Sequence, residues 1–340
     1  MPWLSGTAFL HTALLQRRKP SFKRWNLVLI ILTFLLVIFG TFLTRSGVLS
    51  SVHSFAGSDL GPAMFGFTAF ISLGSLGLII YRWSGIGSAD QPEFSFSRET
   101  LTLFSNLVLL SILMVCFLGV VYPIFSELLT GTQVTVGPAW YEAINGPLLI
   151  LLLGLLGICP LAAWTGTRIR KLDKWLWVLL PISLLAPLFA WVFGEITGVL
   201  LLLVFWLVGF SVLVMLADYG FQAAGIRKKK GLNFIEAVIA PIRQNHQRYG
   251  GMLVHLGMIL LSLGIIGLEG LQQETQQTLT LGEVATLGQY TFTYEGLEQF
   301  TADEGQLVTQ ALLAVDSEGD PVGGLYPSRE VYLDLGMAVT

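Results

Sequence analysis

The sequence predicts an all-α polytopic membrane protein with about seven full spans, a partial first helix and a small outer β-rich C-terminal domain. Of the 340 residues, 54% are hydrophobic and 12% are charged, which is about half the charged fraction of an ordinary soluble domain. Apolar runs long enough to cross a bilayer recur over residues 1–271. After residue 271 the chain changes to the alternation of apolar and polar residues that is typical of strands.

Seven apolar runs reach the roughly 20 residues that a spanning helix needs. They cover residues 26–44, 61–81, 100–122, 146–165, 175–193, 196–217 and 250–270. The segment 1–15 is equally apolar, but at 1.5 Å per residue it rises only about 22 Å, against a hydrocarbon core of about 30 Å. No charged stretch precedes it, so a signal peptide is not indicated. We expect this segment to be the second half of a helix.

Lysine and arginine predict the orientation of the spans, because these residues concentrate in cytoplasmic loops. All 19 of them except Arg45 and Arg329 lie on alternate connections. Those connections are residues 16–25, 82–99, 166–174 and 218–249. We therefore place these loops in the cytoplasm and the tail outside. Topology accounts for the basic clusters, and nucleic-acid binding has no support.

The predicted domains are a transmembrane helical domain over 1–271 and an incomplete β-rich domain over 272–340. Within the second, the segments QTLTLGEVATL, QYTFTYEGLEQF and QLVTQALLAV alternate as strands do. The segment SEGDP at 317–321 predicts a hairpin turn.

Two of the four histidines, His11 and His255, lie inside apolar runs, where an ionisable side chain is rare and usually functional. His11 precedes a basic loop by about five residues, and His255 follows Arg248 by seven, so both lie roughly 8–10 Å from the cytoplasmic boundary. Equal depth on two helices is what two axial ligands of one haem need. The alternative is that each imidazole bonds to a backbone carbonyl or hydroxyl of a neighbouring helix.

Other residues carry weaker signals. His53 lies in a connection predicted to face outside, where an ordinary interfacial histidine is the simpler interpretation, and His246 is expected to be a solvated loop residue. Arg45 can bond a haem propionate or snorkel to the interface. Cys116 and Cys159 lie in apolar runs without a CxxC or CxxCH motif, so a zinc site, a thiol redox motif and self-attached haem have no support.

Five segments together resemble the CcmF/NrfE haem lyase family of cytochrome c-type biogenesis proteins, and they occur in that family's order over the whole chain. They are MPWLSGTAFLHTALLQRR, GTFLTRSGVLSSVHSFAGSDLGP, GTQVTVGPAWYEAINGPLL, RYGGMLVHLGM and GGLYPSREVY. The SGVL-x-SVH-x-F and GGxxVHLG patterns are the most specific of them.

The resemblance implies a role for each histidine singled out above. His11 and His255 match the axial ligands of a transmembrane haem b, and His53 matches the histidine that helps to hold the substrate haem on the outer face. The family's tryptophan-rich WWD signature and an earlier histidine, which complete the outer haem platform, would precede Met1. We therefore expect the chain to be a fragment that lacks the N-terminal part of the family and its extreme C-terminal end.

The function implied by the resemblance is haem attachment to apocytochrome c on the periplasmic side of the bacterial inner membrane. A CcmE-like haem chaperone would deliver the haem, and a CcmH-like subunit would handle the thiols of the acceptor's CxxCH motif. The haem between His11 and His255 is a candidate electron relay fed by quinol. The alternative is a cytochrome b-type electron-transfer subunit, which would need four membrane histidines for two stacked haems. A haem exporter would need a polar path through spans that are almost free of charge.

Overall fold

The computed structural model describes residues 1–17, 22–46, 60–87, 97–161, 173–302, 306–332 and 337–339. Close packing divides the chain into a unit Met1–Leu263 and a unit Gly264–Thr340. Helices dominate the first unit, and a small antiparallel sheet follows near the C-terminus. The predicted fold class is therefore confirmed.

Ten α-helices occur among the described residues. They are α1 (Pro2–Gln16), α2 (Lys23–Arg45), α3 (Leu60–Arg82), α4 (Arg98–Thr130), α5 (Pro138–Ile158), α6 (Asp173–Ser183), α7 (Leu185–Gly194), α8 (Val199–Lys230), α9 (Phe234–Gln244) and α10 (His246–Leu271). They provide seven candidate membrane spans within the described part of the chain, with α6 and α7 forming one broken span. The chain is a multi-pass membrane protein.

Helices α4, α5 and α8 extend beyond the predicted spans, and α8 continues from residue 217 to Lys230 into a predicted loop. Helix α4 continues through Pro123 to Thr130 and ends at Gly131, whose φ of 73° gives the left-handed cap that glycine adopts without strain. Helix α5 begins at Pro138, where the fixed φ of proline suits the first turn. The predicted outer loop 123–145 is therefore mostly helical, because a helix does not end where its apolar stretch ends.

Helix α9 lies inside a loop that the sequence analysis left without structure. Asn233 and Glu236 form a capping box at its start, with the Asn233 side chain accepting from the Glu236 backbone N–H and the Glu236 carboxylate accepting from the Asn233 N–H. Its buried face consists of the small residues Ala237, Ala240 and Pro241. An eleven-residue helix among basic residues is too short and too polar to be predicted as a membrane span.

Helix α1 packs tightly against α2 and α4. Ala8, Leu29 and Leu109, one from each helix, form a buried core cluster. The hydroxyl oxygens of Ser5 and Thr33 lie 2.8 Å apart across the α1–α2 contact. Small and hydroxylated residues allow such close approach between membrane helices, so the partial first helix is firmly held.

The second unit contains an antiparallel sheet. Its strands are β1 (Val284–Leu287), β2 (Tyr290–Thr301), β3 (Gln306–Ser317), β4 (Asp320–Leu325), β5 (Ser328–Tyr332) and β6 (Met337–Val339). The strand order is β1-β2-β3-β5-β6, and β4 also pairs with β3. Glu318 and Gly319, with φ of 52° and 95°, link Ser317 to Asp320 in a tight hairpin. The predicted turn at 317–321 is confirmed.

Candidate functional site

The structure brings His11 of α1 and His255 of α10 together. Their ring centroids lie 6.3 Å apart, and their ring planes are inclined by 18°. The two residues are 244 positions apart in the sequence, so the fold of the helical unit creates this pair. Separations of this size also occur between ordinary aromatic pairs. Two ionisable rings meeting at this depth are far less common.

The separation of the two rings fits a haem iron between them. A metal–imidazole bond of about 2.0 Å, plus roughly 1.1 Å from the nitrogen to the ring centroid, places two trans axial imidazoles about 6 Å apart. The observed 6.3 Å matches this value. Neutral imidazoles are also the donors that haem iron accepts in electron-transfer sites. The residues present therefore suit a bis-histidine haem.

Helix α1 and its neighbours surround His11. Thr12, next to it in sequence, is 1% exposed, and its hydroxyl donates to the backbone of its own helix. The side chain of Asn106 on α4 faces the His11 ring, and Asn106 Nδ2 donates to the carbonyl of Ala8 at 3.1 Å. His11 Nδ1 and Asn106 Oδ1 are both buried without a hydrogen-bond partner. The Asn106 amide is thus bonded to α1 at Ala8, one turn before His11, whose Nδ1 has no hydrogen-bond partner.

The surroundings of His255 are much more open. Its sequence neighbours Leu253 and Val254 are 70% and 66% exposed. Helix α10 is joined to α8 mainly near its start, where Arg248 forms an ion pair with Asp218. The next residue of each helix extends this contact between α8 and α10. The rings of Tyr219 and Tyr249 meet edge-on, with centroids 5.2 Å apart.

The structure says less about the remaining candidates. His53 lies outside the described residues, and its role stays a prediction. Arg45 is the last residue of α2, and its contact with a haem propionate also stays a prediction. His246, expected in a loop, is instead the exposed first residue of α10, because Asn245 Oδ1 accepts a backbone hydrogen bond within the first turn and extends the helix.

The sequence analysis missed Asn106 and Asp218. Each was visible as a polar residue within or at the end of an apolar run, and buried polar groups in membrane helices usually bond across helices. The sequence does not predict which helix Asn106 or Asp218 contacts, because the residue pattern along one helix does not identify its spatial neighbours.

The helices and the histidine pair define a class, a multi-pass membrane protein whose helical unit brings two distant histidines together. Comparison with known proteins sharpens this class. The chain is 32% identical over 341 residues to the cytochrome c-type biogenesis protein CcmF of Pseudomonas aeruginosa, covering 98% of this chain and 49% of that protein. It is 29% identical over 348 residues to CcmF of Escherichia coli, covering 100% of this chain and 50% of that protein.

A solved structure described as cytochrome c heme lyase CcmF matches with a TM-score of 0.63 and 26% identity, over 99% of this chain and 49% of that one. No protein-family model matches the chain. The chain belongs to the CcmF family of cytochrome c-type biogenesis proteins. It spans about half the length of the curated relatives it matches.

Proposed function

We propose that this chain forms part of a haem lyase that acts in cytochrome c maturation at the bacterial inner membrane, with residues 272–340 on the periplasmic side. The juxtaposition of His11 and His255 carries the proposal, because it brings two imidazoles to a separation that suits the two axial ligands of one haem. The relatives named above are cytochrome c-type biogenesis proteins, and the matching solved structure is described as a heme lyase. The cytochrome b-type alternative needs two such pairs, whereas the described residues bring together one.

His11 and His255 would hold a haem b from opposite sides. When bound, a bis-imidazole haem supplies one-electron transfer, which would serve to keep the iron of the substrate haem reduced with quinol as the electron source. The chain's own contribution is to fix both imidazoles at one depth and one separation. Packing around Thr12 and Ala8 does this for His11.

The lyase reaction itself needs no nucleophile from this chain. Each thiol of the acceptor's CxxCH motif adds across a vinyl group of the substrate haem. The S–H bond and the vinyl π bond break, a C–S and a C–H bond form, and no electrons are gained or lost overall. A CcmE-like chaperone would deliver the haem, and a CcmH-like subunit would present the apocytochrome thiols. His53 would ligate the substrate haem iron, so that the chain accelerates the reaction by positioning.

The inner haem is tested by the reduced-minus-oxidised spectrum of the purified protein. Replacing His11 or His255 with Ala should abolish the six-coordinate low-spin haem b spectrum, because each replacement removes one axial ligand. His246→Ala is the matched control, since it changes an exposed histidine on the same helix as His255. An unchanged spectrum in either ligand variant would refute the proposed site.

The outer role of His53 is tested separately. His53→Ala should abolish the appearance of covalently bound haem in a co-expressed c-type cytochrome, detected by haem staining of denaturing gels, while the inner haem spectrum is retained. Loss of both signals together would mean that His53 supports the fold rather than the substrate haem.

A further inference from the structure

We propose that the Asp218–Arg248 ion pair is the positioning device that holds His255 at ligand distance from His11. The inference rests on the proposed ligand role of His255 and extends it to two residues of the helix junction. Arg248 Nη2 donates to Asp218 Oδ2. Asp218 is 6% exposed, so the pair is shielded from water on its acidic side. A shielded charge-assisted hydrogen bond has a defined geometry.

The spacing along α10 connects the ion pair to the ligand. His255 follows Arg248 by seven residues, which is about 10.5 Å along the axis and within about 20° of two complete turns. Arg248 and His255 therefore lie on the same face of α10. Anything that fixes the rotation and depth of Arg248 also fixes the rotation and depth of His255.

The contacts around the ion pair oppose both sliding and rotation of α10. The Tyr249 ring meets the Tyr219 ring edge-on at 5.2 Å, and the Arg248 guanidinium lies 5.8 Å from the Tyr249 ring centroid. The Tyr219 hydroxyl donates in turn to the carbonyl of Val238 on α9. Two consecutive residues of α8 thus engage two consecutive residues of α10. A slip of one helical turn would displace His255 by about 5.4 Å and break both the ion pair and the contact between the Tyr219 and Tyr249 rings.

Beyond this anchor, α10 has one other fully buried side chain near His255, that of Ile259, which follows it by four residues and is 0% exposed. At the level of His255, the side chains of Leu253 and Val254 are largely exposed, as is that of Leu260 further along. Apolar contacts with lipid are not specific for one rotation of a helix, because lipid tails are as apolar as the side chains that face them. The junction with α8 therefore supplies the directional contact that selects the ligating rotation of α10, and Ile259 adds apolar packing on the same helix.

The test uses the purified protein and three variants. The double variant Asp218→Asn/Arg248→Gln removes the ion pair without leaving one charge buried alone, which would itself be strongly destabilising. Arg248→Lys keeps the charge but loses the planar guanidinium. Arg243→Gln is the matched control, because Arg243 is an exposed arginine on the neighbouring α9. His255→Ala is measured in parallel.

The measurement is carbon monoxide binding to the dithionite-reduced haem of monodisperse protein, since carbon monoxide binds only where an axial position is open. The double variant should keep its haem on His11 and show a carbon-monoxide-reactive fraction about tenfold above that of the parent protein. Added imidazole should reverse the increase. The carbon-monoxide-reactive fraction of Arg248→Lys should lie between those of the parent protein and the double variant. That of Arg243→Gln should equal the fraction of the parent protein.

Each other outcome decides the matter. A folded double variant with the parent's carbon monoxide reactivity overturns the inference, and so does a folded double variant that loses haem altogether, because the pair would then support the bundle in general. If the double variant is not recovered folded, Arg248→Lys replaces it in the test. Carbon monoxide reactivity equal to that of the parent protein would then overturn the inference. If His255→Ala itself matches the parent, the proposed ligand role fails, and that failure is distinct from failure of the ion-pair inference.

Discussion

The two helices that carry the histidine pair are held in opposite ways. On α1, the side of the helix around His11 is enclosed, with Ser5, Ala8 and Thr12 all at most 1% exposed. On α10, the residues next to His255 are exposed, and the helix is fastened to α8 about 10.5 Å away through Arg248. His11 is positioned by packing along one helix face, whereas His255 is positioned by a polar junction and by the buried side chain of Ile259.

This contrast shows how a membrane protein can build a two-sided cofactor site. Close packing of small residues gives α1 one low-energy position, because any displacement would open gaps or create overlaps. A helix bordered by lipid lacks that constraint and needs a directional contact instead. Haem ligation by His255 should therefore be more sensitive to substitutions in neighbouring residues than haem ligation by His11.

The largest expected effect is a difference in rescue between the two ligand variants. In His255→Gly, added imidazole should restore the six-coordinate spectrum, because the missing ring leaves an accessible space. In His11→Gly, haem content should stay about tenfold below that of the parent even with imidazole, because enclosed neighbours deny it access. Haem content and spectra of the purified variants measure this. Equal restoration of the six-coordinate spectrum by imidazole in both variants would show that α1 and α10 hold their histidines in the same way.

A second prediction concerns packing around His11. Ala8→Leu adds bulk at a position that is 0% exposed in the cluster with Leu29 and Leu109, so it should lower stability by about 1–3 kcal/mol. Thermal unfolding in detergent should show a lower Tm and earlier haem release. The matched substitution Val254→Leu, at an exposed position beside His255, should leave Tm within the error of the measurement. A parent-like Tm for Ala8→Leu would show that α1 is less constrained than its burial indicates.

The smallest expected effect comes from Asn106, whose amide is anchored to Ala8 O beside the His11 ring. Asn106→Leu removes that hydrogen bond and should lower stability by about 0.5–1.5 kcal/mol. It should also raise the haem midpoint potential, because it removes the polar amide that faces the His11 ring, and polar partners around a ligating imidazole increase its basicity. Redox titration measures the shift.

Asn145→Leu is the matched control for this effect. Asn145 is a second asparagine with a buried, unpartnered Oδ1, and its amide faces Cys116 of α4. Cys116 lies ten residues beyond Asn106 on that helix, about 15 Å along it. The control should leave the potential unchanged. An equal shift in both variants would assign the effect to general loosening of the bundle.

Sequence patterns predicted the architecture because membrane spans and amphipathic strands are local properties. The basic loop near each histidine predicted one depth for His11 and His255, and the structure places their rings near each other. The pairing of Asp218 with Arg248, and the contact of Asn106 with α1, were not predictable. Both depend on which helices become neighbours, and residue spacing along a single helix carries no such information.

The boundaries of α5 and α9 were missed for a related reason. Hydropathy finds the stretch that lipid covers, whereas a helix ends where its backbone is capped. Pro138 and the Asn233–Glu236 capping box both lie outside the apolar runs. Local capping residues would have located these helix starts better than hydropathy did.

The most direct test of the central claim is an experimental structure of the protein purified with its haem. The account predicts one iron between α1 and α10, with a nitrogen of His11 and a nitrogen of His255 each about 2.0 Å from it on opposite faces of the porphyrin. An iron bound by neither histidine, or by one alone with the other turned toward lipid, would contradict the account.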